Sequence, residues 1–351
     1  VSGDLEVILS GISGSKHDTA RAVYFTGKGS VFIKEEPLFS AKTNNSVDRS
    51  EEEVFVESKV SGISHGTEML FYRGEIPRGT RVDETIPDLQ GETAYPLKYG
   101  YMNVGRDDEG RKVFAFFPHQ DRFYIKRNNL IYLPDSMDDE DAVFIPSLET
   151  ALAINHDLPL EPGAVVLLCG LGAVGLLTLE IMVFRHYGKI IAVDPISQRR
   201  KAAEALGIPS FAPGDAGLVE GIKTATSGRG ADWAVNTSSS EAGLQLCIDS
   251  LCFGGTVIES SWYGGKNVSL MLGGKFHRNR VSVRSVQVST VSPALMHRWT
   301  KERRMDTVIE LVEKIGPKKY ITHRFPLDEA ETAYTVVDSQ TDSAIQVILL
   351  P

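Results

Sequence analysis

Cysteine is scarce in this 351-residue chain, which carries Cys169, Cys247 and Cys252. So sparse and odd a set cannot build the dense disulfide framework of a small secreted domain, and a reducing, cytoplasmic setting is the expectation. Basic charge is also short, with 37 Lys and Arg against 46 Asp and Glu and a formal net charge of −9. That balance repels a phosphate backbone. The basic cluster Lys301, Arg303 and Arg304 is interleaved with Glu302, as on a solvated helix face, so nucleic acid is not an expected partner. Long apolar runs are missing as well. Ala164–Cys169 and Leu176–Phe184 stop well short of the roughly 20 residues a spanning helix needs, and no basic flank leads into an apolar signal core, so no membrane partner or anchor is expected.

What is present reads as globular, with 42% apolar and 24% charged residues and no low-complexity tract. The length favours about two domains. Residues 1–19 read as an N-terminal extension. From Ala20 to about Leu133 short β-rich runs are punctuated by Gly and Pro, at Ala22–Phe25, Val31–Lys34, Glu53–Val60, Val113–Phe117 and Leu130–Leu133. This pattern predicts an all-β, barrel-like domain.

After Pro134 helix and strand alternate, the signature of an α/β doubly wound parallel sheet, the Rossmann architecture. Strands are predicted at Ala164–Cys169, Lys189–Asp194, Ser210–Ala212, Asp232–Thr237, Thr256–Ser260 and Val281–Val286, with helices at Ala173–Tyr187, Gln198–Leu206 and Ser240–Leu251. A helix over Ala294–Ile315, the segment Ile321–Phe325, a helix over Leu327–Asp338 and a strand over Ala344–Leu349 follow. The resulting division is 1–19, 20–149, 150–292 and 293–351, with the last segment returning to complete the first domain and a cleft between the two parts.

Gly170, Gly172 and Gly175 directly follow the apolar strand Ala164–Cys169 and open a helix at Ala173. In that context the glycines permit, in turn, a tight turn, approach of backbone to a pyrophosphate, and close helix–strand packing. Free N–H groups at the helix start suit the phosphate. Asp194 ends the next strand, nineteen residues after Gly175, where a carboxylate can accept both adenosine ribose hydroxyls and repel a 2′-phosphate. NAD is therefore the expected cofactor, with Arg199 and Arg200 leaving NADP as the lesser alternative. Leu171, Ala173, Val174, Pro195, Arg199, Thr237, Ser238, Ser260, Ser261 and Val288 are the further candidate cofactor contacts.

ARAVYFTGKGSVFIKEEPL (Ala20–Leu38) and ITHRFPLDEAETAY (Ile321–Tyr334), in this domain order, resemble the medium-chain dehydrogenase/reductase superfamily over Ala20–Pro351. SGISHGTEMLFYRGEIP (Ser61–Pro77), VFAFFPHQDRF (Val113–Phe123) and AVDPISQRR (Ala192–Arg200) are most similar to its bacteriochlorophyllide dehydrogenase-like branch. The resemblance implies a GroES-like β-barrel catalytic domain and oxidation of a hydroxyethyl side chain with a nicotinamide cofactor. Zinc members carry a GICGTDxH-like segment, a GHE and a later Cys or Glu as metal ligands. Here those places hold Ser64 or His65, Tyr101 and Pro146, and the four-cysteine structural lobe is absent. A phenol is a poor zinc ligand at neutral pH and Pro has no donor atom, so neither zinc site is expected. A replacement metal site from His65, Glu68 and His119 is the weaker alternative.

Without a metal, neutral donors must hold the reacting oxygen. The candidates are Ser64, His65, Thr67 and Tyr101: Thr67 at the proton-relay position, His65 as acid or base near neutrality, and Tyr101 as donor to the substrate oxygen. Turn capping by Ser64 and Thr67, and simple packing by Tyr101, are the competing readings. Glu68 is expected to orient His65 or an arginine, and His119 and Gln120 to line the cleft or sit on the surface. The cysteines are expected in the core. The leading function is a zinc-independent NAD-dependent oxidoreductase acting on a secondary alcohol or ketone. A quinone- or enoyl-type double-bond reductase and a low-turnover redox sensor are the alternatives. A small-molecule substrate and a homodimer paired through Val281–Val286 complete the expectations.

Overall fold

The structure, a computed structural model, describes residues 19–38, 53–89, 91–185, 188–339 and 343–351. The N-terminal extension expected from the sequence lies outside the described residues up to residue 18. Six strands form one parallel sheet in the spatial order Ser210–Phe211, Lys189–Val193, Val165–Cys169, Ala231–Asn236, Leu251–Glu259 and Ser282–Ser285. This is the doubly wound arrangement, in which chain order reverses beside the first strand and opens a crevice at the carboxyl ends. The central strand VVLLC is buried along its whole length because helices cover both faces.

A second, mixed sheet has the order Ile321–Pro326, Gln346–Leu350, Glu53–Ile63, Asn103–Asp107, Lys112–Ala115 and Leu130–Tyr132, with Arg122–Lys126 also on Glu53–Ile63. A small sheet of Ser30–Pro37, Thr19–Gly27 and Leu97–Lys98 flanks it. Two strands of the second sheet, NVGRD and RFYIK, escape the apolar pattern because their charged residues mask it. Gly105 has a steric reason to be there: a Cβ would meet the Glu57 carbonyl oxygen at 2.4 Å across the strand pair.

The helix Ile145–Asp157 packs against the helices Ala173–Arg185 and Lys301–Ile315, and one apolar cluster runs from Val60 and Phe114 through Leu148 to Leu168 and Ile258. The domain boundary expected near residue 150 falls inside this helix. Helix Lys301–Ile315 begins later than its apolar pattern suggests, since Thr300 caps it by accepting from Arg303 N, and it stops at the left-handed Gly316. Arg304 corrects the surface reading of its cluster: it is 2% exposed. Cys169 and Cys247 are buried as expected, whereas Cys252 is half-buried.

After Leu251–Glu259 the chain leaves the parallel sheet and crosses to the other domain. Gly265 N donates to the Glu75 carbonyl at 2.8 Å, Lys266 Nζ lies 2.7 Å from Glu75 Oε2, and Trp262 meets Phe71 edge-on.

Candidate active site

The glycine turn is built by exclusion. Gly170 holds φ +96°, and a Cβ there would lie 2.7 Å from Ser238 N. A Cβ on Gly175 would lie 2.1 Å from the Gly170 carbonyl oxygen, so the helix can sit this close to the strand through glycine alone. At Gly172 a Cβ would meet nothing within 4 Å. That open side, over the first turn of helix Ala173–Arg185, is the cradle a pyrophosphate fits, and these residues suit a dinucleotide.

Asp194 is buried at the end of its strand. Its Oδ2 accepts from Leu171 N at 2.7 Å and its Oδ1 from Ile196 N at 2.8 Å. The carboxylate therefore braces the glycine turn, and its remaining lone pairs are what a ribose could use. Arg199 Nη1 stands 3.9 Å from Asp194 Oδ2 while its Nη2 donates to the Ala344 carbonyl, and Pro195 follows with its carbonyl bound by Arg200.

Thr237 Oγ1 donates to the Gly170 carbonyl at 2.8 Å, Ser238 Oγ to Asn236 Oδ1, and Ser260 Oγ to the Asn236 carbonyl. Ser261 N donates to Glu259 Oε1 at 2.8 Å. Sequence reasoning missed the buried Glu259, which also accepts from Asn236 Nδ2 at 2.7 Å and from Tyr263 Oη. The available signal was a carboxylate inside the apolar run TVIES. Burial and Glu259 together push the Tyr263 phenol up.

On the second domain, Ser64 follows the end of strand Glu53–Ile63 and Thr67 opens the short helix Thr67–Tyr72. Tyr101 Oη donates to Ser64 Oγ at 2.6 Å. Burial pushes the phenol up to about 12, the charge of Glu68 adds to this, and the neighbouring Ser64 and Thr67 hydroxyls oppose it. Ser64 and Tyr101 thus form a hydroxyl pair, with Thr67 beside it.

Glu68 is fully buried and corrects the expectation for it. It does not orient His65: Oε1 accepts from Ser64 N at 2.8 Å, and Oε2 lies 2.8 Å from His119 Nε2 and accepts from Tyr334 Oη at 2.5 Å. His119, likewise fully buried, neither lines a cleft nor faces solvent. An Nε2–H donated to Glu68 leaves its Nδ1 to accept from the Ser61 hydroxyl.

His65 also departs from its expected role. Its Nε2 is enclosed without a hydrogen-bond partner, and its pKa is lowered to about 3, first by burial and then by electrostatic interaction with Arg199, His323 and Arg73. A ring with so low a pKa is neutral near pH 7 and a weaker base than an ordinary histidine. His65, Glu68 and His119 do not converge, and among the described residues no group of three His, Cys, Asp or Glu side chains could hold a metal ion. Pro146 lies in the first turn of helix Ile145–Asp157.

A parallel doubly wound sheet with a braced glycine turn, joined to a second mixed-sheet domain that carries a buried hydroxyl pair, is an arrangement that suits a dinucleotide-dependent dehydrogenase/reductase. Residues 173–314 match the zinc-binding dehydrogenase family. The chain is 28% identical over 225 residues to an uncharacterized zinc-type alcohol dehydrogenase-like protein, YphC, of Escherichia coli, covering 63% of this chain and 60% of that relative. It is 26% identical over 290 residues to D-guloside 3-dehydrogenase of the same organism, covering 74% and 81%. The solved structure of 2R,3R-butanediol dehydrogenase from Bacillus subtilis superposes with a TM-score of 0.73 at 18% identity, over 95% of this chain and 99% of that one. Over these stretches the chain is similar to zinc-type alcohol dehydrogenase-like proteins, and it shares the fold of the solved alcohol dehydrogenases.

Among the described residues no helix is long and apolar enough to cross a membrane.

Proposed function

We propose that this protein is a zinc-independent dehydrogenase that interconverts a small secondary alcohol and its ketone with NAD in preference to NADP. The observation that carries the reading is the Tyr101–Ser64 hydroxyl pair, at positions where the sequence resemblance implies metal ligands in zinc members. A phenol held protonated and a serine hydroxyl are poor zinc donors, and Pro146 offers none.

The bound nicotinamide would supply the hydride acceptor or donor. Tyr101 donates its hydrogen to Ser64 Oγ, so the Ser64 hydrogen is free to point at a substrate oxygen, polarised by the bond it accepts. Ser64 is itself fixed through its backbone N–H on Glu68. Thr67, whose hydroxyl lowers the Tyr101 phenol's pKa, is the next hydroxyl along the proposed proton path. Neutral donors stabilise an alkoxide less than a divalent cation does, which favours activated alcohols or conjugated ketones. The buried charge of Asp194 behind the glycine turn supports NAD over a 2′-phosphorylated cofactor.

Strand Ser282–Ser285 is exposed at all four positions and pairs on one side with Leu251–Glu259, which supports a homodimer formed by joining two such edges. The test of the activity is turnover of NAD and NADP with a panel of secondary alcohols, before and after exhaustive chelation, beside metal analysis of the purified protein. Full activity in metal-free protein is the expected result. Stoichiometric zinc whose removal abolishes turnover overturns the zinc-independent reading.

A further inference from the structure

We infer that Arg304 is a positioning residue that fixes the nicotinamide end of the dinucleotide site, by clamping the backbone at Val288 and Thr290. The inference rests on the dinucleotide reading above. Segment 286–290 leaves the edge of the parallel sheet at its carboxyl end, anchored by Val286 N donating to the Glu259 carbonyl at 2.9 Å. That end of the sheet is where a dinucleotide lies.

Arg304 reaches this segment from helix Lys301–Ile315. Its Nη1 donates to the Thr290 carbonyl at 2.7 Å, and its Nη2 donates to the Val288 carbonyl. Nε and Nη2 also donate to Glu149 Oε1, at 3.1 and 2.8 Å, from helix Ile145–Asp157. One planar cation therefore joins three segments: the helix that links the domains, the strand-end loop and the returning helix. Burial raises the Glu149 carboxyl, and the charge and hydrogen bonds of Arg304 oppose that shift.

A rigid fork sets the spacing of two carbonyls as a lysine ammonium cannot. Arg304 is buried behind these carbonyls, so it acts on the cofactor through the loop it holds. The adenosine and pyrophosphate parts of the site rest on Gly172 and Asp194, which the clamp does not touch. Arg304 should therefore matter to one end of the ligand and not to the other.

The test titrates wild type, Arg304→Lys and Glu149→Gln with NADH and with ADP-ribose, which lacks the nicotinamide, and follows protein fluorescence. In Arg304→Lys, NADH binding is expected to weaken about tenfold or more while ADP-ribose binding stays within about twofold. Glu149→Gln should show a smaller loss of the same kind. Equal losses for both ligands, or undiminished NADH binding, overturn the inference. If Arg304→Lys does not fold, Glu149→Gln decides by the same comparison. Wild-type protein that binds neither ligand overturns the dinucleotide reading and this inference with it, whereas wild type that binds both upholds that reading whatever the variants show.

Discussion

Tyr101 Oη and Ser64 Oγ lie 2.6 Å apart, joining residues 37 positions apart in the chain. Tyr101→Phe removes the donor while keeping the ring. Turnover is expected to fall about tenfold to a hundredfold. The urea unfolding free energy should change by about 1 kcal/mol. Ser64→Ala should cost turnover similarly, and the double variant less than the sum, since the two hydroxyls act as a unit. Steady-state kinetics of the three variants check this; additive losses would mean that the pair does not work together.

Glu68 holds its negative charge near the Tyr101 phenol, and that charge adds to the rise caused by burial. Glu68→Gln should lower the phenol's pKa from about 12 and bring the alkaline limb of the turnover profile to lower pH. The same linkage acts on stability. A phenol whose folded pKa stands above its unfolded value contributes stability that is intact below about pH 10 and lost as pH rises toward 12. Rate profiles from pH 8 to 11 on both proteins give the comparison, and an unmoved limb would detach Glu68 from Tyr101.

His65 titrates near 3 in the folded protein, well below its ordinary value. It therefore favours the folded state above about pH 6.5, and that contribution fades as pH falls toward 3, because the unfolded chain takes up the proton first. His65→Gln should flatten the acid loss of stability between those limits. Between pH 6 and 9 it should leave the shape of the rate profile unchanged. Urea midpoints against pH for both proteins measure the difference, and an equal acid loss in the two would remove His65 from the linkage.

The glycines of the turn should separate by role. Gly175→Ala forces a Cβ to within 2.1 Å of the Gly170 carbonyl oxygen and should lower the melting temperature sharply. Gly172→Ala enters open space and should melt like wild type, yet weaken NADH binding by crowding the pyrophosphate. Calorimetry and NADH titration on the two variants test the contrast.

The dinucleotide half was legible because its signals are local. The run VVLLC, the three glycines and Asp194 fall in one short stretch, and the parallel sheet follows from the alternation around them. The other half was less so. NVGRD and RFYIK are strands whose pairing with Glu53–Ile63 outweighs weak intrinsic patterns. Glu68 meets Tyr334 across 266 positions and Arg304 meets Glu149 across 155, and no periodicity reports contacts at that range. His65 reads as an acid–base group because its residue type titrates near neutrality, and the sequence does not report the burial and the arginines that lower its pKa in the fold.

The crossing loop at Gly265 and Lys266 grips Glu75 by both its carbonyl and its carboxylate, just beyond the helix that carries Thr67 and Glu68. Two bonds of different kinds, one to backbone and one to side chain, tie the two domains at this point, so the segment after Leu251–Glu259 is fastened to the chain just past Thr67–Tyr72 independently of the helix Ile145–Asp157.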